Sequence, residues 1–134
     1  MEKTLEKIPV NGNVDIVVAR NAVRHRARQI GFGLVDQSRV ATAVSELSRN
    51  IVTYAKAGTV IVSQIESSVR KGIEIVCEDQ GPGIENIEAA MSEGYTTAGS
   101  LGIGMPGAKK LMDEMLVWSE VGKGTRITIK KFLV

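Results

Sequence analysis

Glu46 and Asn50 stand four residues apart in the run Glu46-Leu47-Ser48-Arg49-Asn50. On a helix that spacing stacks a carboxylate and an amide one turn apart on the same side. Such a pair at the edge of an apolar stripe can line a pocket, although spacing alone favours two polar boundary residues. A second acidic position lies in Asp79-Gln80-Gly81-Pro82-Gly83. Strand alternation puts Asp79 on the face of Ile73, Ile75 and Cys77, where a carboxylate needs a hydrogen-bond donor. An exocyclic amine on a ligand would serve, and so would a plain strand-ending turn. Gly81 and Gly83 free the backbone to turn and let a ligand approach. A third run, Gly99-Ser100-Leu101-Gly102-Ile103-Gly104-Met105-Pro106, leads into a helix. Glycines there can offer backbone N–H groups to a phosphate, helped by the helix dipole. The run lacks the Gly-Lys-Ser/Thr of a Walker A loop and the Gly-x-Gly-x-x-Gly spacing after a strand. Last comes Gly122-Lys123-Gly124-Thr125, a hydroxyl that follows two glycines in a hairpin turn.

The elements that must hold these residues follow from periodicity. Residues 3–9 read as a strand ending at Pro9. Asn11-Gly12 suits a hairpin turn, but Ile16, Ala19, Val23, Ala27 and Ile30 recur at helical steps and outweigh it. A helix is therefore expected over about 13–31, capped by Asn13 and ended by Gly31 or Gly33, with Arg20, Arg24, Arg26 and Arg28 outward. A second helix is expected from Ser38 to Ala57 on the stripe Val40, Val44, Leu47, Ile51 and Tyr54, with Gly58 ending it. Alternating strands follow at Thr59 to Glu66 and Gly72 to Asp79. A short helix near 84–92, a helix from Met105-Pro106, and a hairpin of strands 115–120 and 125–132 complete the chain. Paired helices followed by paired strands predict an α/β chain of the two-layer α+β kind. The expected sheet is mixed, mostly antiparallel and covered by helices on one face.

Bulk properties narrow the classes. The 134 residues are expected to form one domain, 1–134, with ordinary apolar (43%) and charged (24%) fractions. A net charge of +2 does not argue for nucleic acid, although basic residues prevail in 1–71 and acidic ones in 72–134. The single cysteine, Cys77, excludes an internal disulfide, fits a reducing compartment and reads as core. One histidine, His25, among arginines on a polar face, leaves a zinc site or a histidine triad without enough ligands. No run approaches a membrane span and no signal peptide opens the chain, so a cytoplasmic place is expected. Seven of the 14 glycines fall in residues 81–107, which concentrates the unusual backbone in the chemically suggestive stretch.

Taken in order, the four runs resemble the ATP-binding module of the GHKL superfamily, the Bergerat fold, over about residues 36–132. Glu46 to Asn50 resembles its N box, Asp79-x-Gly81-x-Gly83 its G1 box, Gly102-x-Gly104 its G2 box, and Gly124-Thr125 its last element. Within that superfamily, Ser45-Glu46-Leu47 to Asn50 and Met112-Asp113-Glu114 to Thr125 look most like the bacterial serine-protein kinases of the anti-sigma-factor and stressosome group. The resemblance implies ATP and Mg²⁺ as cofactors. It implies Asn50 as the Mg²⁺ ligand and Glu46 as general base toward a serine or threonine hydroxyl. Asp79 would take the adenine amino group, with Gly81 and Gly83 shaping the base pocket and Thr125 assisting through water. Gly99, Ser100, Leu101, Gly102, Ile103, Gly104 and Met105 would meet the phosphates. The implied partners are STAS-domain substrates of the RsbS and RsbR type and a PP2C-type phosphatase of the RsbU type, with no nucleic acid and no membrane. An anti-sigma kinase that binds and inhibits a sigma factor is the alternative.

Overall fold

The computed structural model describes residues 2–86 and 105–134. Strand β1 (Glu2–Val10) opens the chain and is followed by helices α1 (Asn13–Ile30) and α2 (Leu34–Asn50). A single π-helical turn (Ile51–Ala55) extends α2, and strands β2 (Gly58–Glu66) and β3 (Lys71–Asp79) come next. Helix α3 (Met105–Leu111) and the hairpin β4 (Glu114–Glu120) and β5 (Gly124–Phe132) close it. The five strands form one sheet in the order β1-β2-β3-β5-β4. Every pairing is antiparallel, more uniform than the mixed sheet expected.

Alternation decides which side of the sheet is covered. Ile8, Val60, Cys77, Ile127 and Val117 lie in one row across the strands. Val62, Ile75, Ile129 and Met115 lie in the next. These apolar rows bury against α1 and α2, whose stripes Ala19, Val23, Ala27 and Val40, Val44, Leu47 belong to the same core. The opposite sheet face carries the ion pairs Glu78–Arg126 and Glu74–Lys130, and on edge strand β4 the exposed Leu116 and Trp118. Burying a large aliphatic side chain is worth about 1.5–3 kcal/mol, so the two rows account for the helices sitting on one side only.

Several local expectations change. Gly12, not Asn13, occupies the cap of α1, and Asp15 instead accepts the backbone N–H of Asn11 at 2.8 Å. Gly31 ends the helix as expected, with a positive φ of 122° and its N–H on the carbonyls of Ala27 and Arg28. Arg26 is half-buried rather than outward, because its guanidinium reaches Glu6 on β1 at 3.1 Å. Helix α2 starts at Leu34, not Ser38: the buried Gln37 donates to the carbonyl of Phe32 at 2.8 Å and ties its first turn to the core. The α-helix stops at Asn50, and Gly58 opens β2 instead of ending a helix. Residues 84–86 are not helical, and the rest of the helix expected near 84–92 lies outside the described residues.

Candidate functional site

One further row crosses the sheet above the apolar ones. Gly58, Asp79, Thr125 and Ser119 stand side by side on β2, β3, β5 and β4. All share the covered face, yet the helices do not close over this end. A narrow cleft opens there, lined by Leu47, Asn50, Ile51, Tyr54, Cys77, Asp79, Pro82, Gly83, Ile84, Met105, Thr125 and Ile127. Apolar walls with a few converging polar groups are the usual make-up of a small-molecule site. The sequence places Asn50, Asp79, Met105 and Thr125 far apart, and the fold brings them into this one hollow.

Asp79 is its strongest polar feature. Oδ1 accepts the N–H of Gly81 at 2.8 Å. Burial raises the Asp79 carboxyl above the ordinary carboxylate range, opposed by the backbone N–H groups of Gly81 and Thr125. An incoming donor would restore part of the hydration this carboxylate has lost. Below it, burial and the neighbouring Asp79 charge push the Cys77 thiol up to about 12, so Cys77 is an inert wall.

The loop after Asp79 is anchored on both sides. A side chain at Gly81 would lie 2.6 Å from the Cβ of Ala55, so glycine lets the loop press on the π-helical turn. Gly83 has a φ of +79°, and a side chain there would run into the carbonyl of Glu120 at 2.5 Å. Its lack of a side chain therefore serves packing against the β4–β5 hairpin as well as the turn. Two hydrogen bonds complete the tie: Gly122 N–H to the Pro82 carbonyl at 2.9 Å, and Ile84 N–H to Ser119 Oγ at 2.7 Å.

Glu46 lies one helical turn before Asn50 and does not line the cleft. Its Oε1 is held by Arg49 at 3.1 Å. Tyr54, expected in the apolar stripe, stands in the cleft wall, because the π-helical turn after Asn50 carries it there. Burial raises its phenol above the usual tyrosine value. Ser119 was legible only through β4 alternation, which faces it toward Thr125. Gly99, Ser100, Leu101, Gly102, Ile103 and Gly104 lie outside the described residues, so of the run expected to meet the phosphates only Met105 is placed, in the cleft wall.

A two-layer fold with a half-buried carboxylate at the open end of an antiparallel sheet defines a class. The chain belongs to the family of histidine kinase-, DNA gyrase B- and HSP90-like ATPases, whose model matches residues 35–133. Among its relatives, serine/threonine-protein kinase RsbT of Bacillus subtilis is 49% identical over 119 residues, covering 89% of this chain and 90% of that protein. An anti-sigma F factor of Clostridium kluyveri is 35% identical over 117 residues, covering 84% of this chain and 82% of the relative. The fold also matches a chain in the crystal structure of the SiaB-SiaC complex from Pseudomonas aeruginosa, with a TM-score of 0.61 at 10% identity over 98% of this chain and 91% of that one.

Proposed function

We propose that the chain is a serine/threonine-protein kinase, acting as one domain, that uses ATP and Mg²⁺ to phosphorylate a separate protein. The observation that carries the reading is Asp79, a half-buried acceptor at the base of an apolar cleft that also holds Asn50 and Thr125. The likeness to the RsbT kinase supports the same chemistry.

In this reading Asp79 accepts the adenine amine and Thr125 assists beside it, while Ile51, Tyr54, Met105 and Ile127 enclose the base. The Asn50 amide oxygen, at the cleft edge, is a hard oxygen ligand. It fits a Mg²⁺ that takes its remaining ligands from phosphate and water. ATP bound there would supply the phosphoryl group, and the Mg²⁺ held by Asn50 would offset the charge that develops as it transfers. Glu46, one turn from Asn50, takes the proton from the incoming hydroxyl. Its contact with Arg49 is no obstacle, since a solvated pair at this helical spacing is worth about 0.3–0.5 kcal/mol. The accepting hydroxyl comes from a STAS-domain partner of the RsbS or RsbR type, and the released kinase binds and activates a PP2C-type phosphatase of the RsbU type. Among the described residues no helix is long and apolar enough to cross a membrane, and the reading puts the chain in the cytoplasm.

Glu46→Gln tests it. Phosphate transfer to a purified STAS partner, read by phosphopeptide mass, should fall by about 10²-fold or more, with ATP affinity unchanged. Transfer at the wild-type rate removes Glu46 as the base. The likeness to anti-sigma F factors favours a second reading, a kinase that binds and inhibits a sigma factor. Capture of a sigma factor rather than a STAS protein would select it.

A further inference from the structure

Ser119 sits on edge strand β4 directly across the ladder from Thr125, and its side chain joins three groups. Its Oγ accepts the Ile84 N–H at 2.7 Å, donates to the Gly124 carbonyl at 3.0 Å, and lies 3.1 Å from Thr125 Oγ1. A serine hydroxyl has one proton and two lone pairs. The proton is committed to Gly124, whose carbonyl can only accept. One lone pair holds Ile84, and the other remains for Thr125. The Ser119–Thr125 contact is therefore made with threonine as the donor. With its proton spent on Ser119, Thr125 turns only lone pairs toward the cleft. Its ladder partner Asp79, as a carboxylate, is also an acceptor only. Two neighbouring acceptors aimed at the 6-position match the two N–H bonds of an amine there, and they repel a carbonyl oxygen in its place.

We propose that Ser119 is a positioning residue that fixes the polarity of the Thr125 hydroxyl and so sets the preference of the cleft for a 6-amino purine over a 6-oxo purine. The proposal rests on the nucleotide-site reading above and adds how that site tells bases apart. Ser119 touches no base itself. It acts by deciding which way a second hydroxyl points its proton.

The test is the ratio of affinities for ATP and ITP, measured by calorimetry on the full chain. The wild type prefers ATP. Ser119→Ala frees the Thr125 proton to point into the cleft and should cut the ratio by about tenfold, the size of one mispaired buried hydrogen bond. Ser119→Thr restores the hydroxyl and the ratio. Ser119→Cys, close in volume but a weaker hydrogen-bonding group, should fall between, and it carries the test if the alanine variant does not fold. Thr125→Val should lower the ratio too, and adding Ser119→Ala or Ser119→Cys to it should change the ratio no further. A serine that merely braced the hairpin would weaken ATP and ITP alike. An unchanged ratio in the alanine or cysteine variant, with a selective wild type, overturns the proposal alone. A wild type that binds neither nucleotide overturns the nucleotide-site reading and this inference with it.

Discussion

Asp79→Asn separates the cost of a buried charge from its use. In the free protein, burial disfavours the ionised Asp79, which is why its carboxyl is held above the ordinary range. The amide keeps one oxygen for the backbone N–H groups of Gly81 and Thr125 but replaces the other oxygen with a donor. Free of ligand, the variant should be as stable as the wild type or slightly more so. A gain of about 1 kcal/mol would lift the melting midpoint by about 4 °C. Binding should change the other way. A hydrogen bond to a charged group is worth about 1.5–3 kcal/mol, so ATP should bind roughly ten- to 150-fold more weakly. At ligand one hundred times the wild-type Kd, the wild type gains about 2.7 kcal/mol, while a variant weakened about hundredfold gains about 0.4 kcal/mol. Melting with and without ATP should thus show the variant level or ahead when empty and well behind when loaded.

The same carboxyl gives a pH signature with opposite signs. Between its ordinary and its raised value, the folded state keeps a proton that the unfolded chain has lost. The stability of the free protein should therefore decline as pH rises through that interval and level off above it. Adenosine affinity should instead strengthen over the same interval, because the ionised carboxylate accepts the amine. Asp79→Asn should flatten both trends. Wild-type ATP affinity in the variant would refute the assignment of Asp79 to the base.

Other consequences can be checked directly. Cys77, 3% exposed with its thiol pushed up to about 12, should resist iodoacetamide in the native state and react only as fast as the protein opens. Ile75→Ala, at a fully buried position in the central strand, should cost about 2–5 kcal/mol in urea unfolding. Lys131→Met should cost about 1–3 kcal/mol, because the buried ammonium donates to the Leu111 carbonyl at 3.1 Å and lies between Asp36 and Asp113. A cost below the error of the unfolding measurement would remove Lys131 as the tie between β5 and the end of α3.

What the sequence made legible is periodic. The α1 stripe and the alternation of β3 and β5 follow from burial on one face, and burial leaves a repeat in the residue types. The start of α2 was hidden because Leu34 and Val35 are apolar yet exposed, while the polar Gln37 is buried through a single backbone contact. The π-helical turn was hidden because a change in hydrogen-bond partner leaves no mark in hydropathy, and it moved Tyr54 from the core stripe to the cleft. Asp79 and Thr125 could be singled out one by one, but their adjacency depends on the β3–β5 register. The role of Ser119 depends on three partners from two other stretches of chain, which no local pattern records.

The β3–β5 ladder also bears on how this chain tolerates change. Asp79 and Thr125 are ladder partners, so the stretch between them, which includes α3 and β4, starts and ends at one point of the sheet. The pairing holds the two ends together whatever the length of chain between them. The entropy of closing such a stretch grows only with the logarithm of its length, about 0.6 kcal/mol for each doubling. Insertions or deletions there, clear of the 81–84 turn, the 99–105 run, α3 and the β4–β5 hairpin, should leave Asp79 and Thr125 in register. Slipping the ladder by a single residue would turn every side chain of β5 to the wrong face. The alignment of the base-facing groups is therefore guarded by pairing rather than by the length of the chain between them.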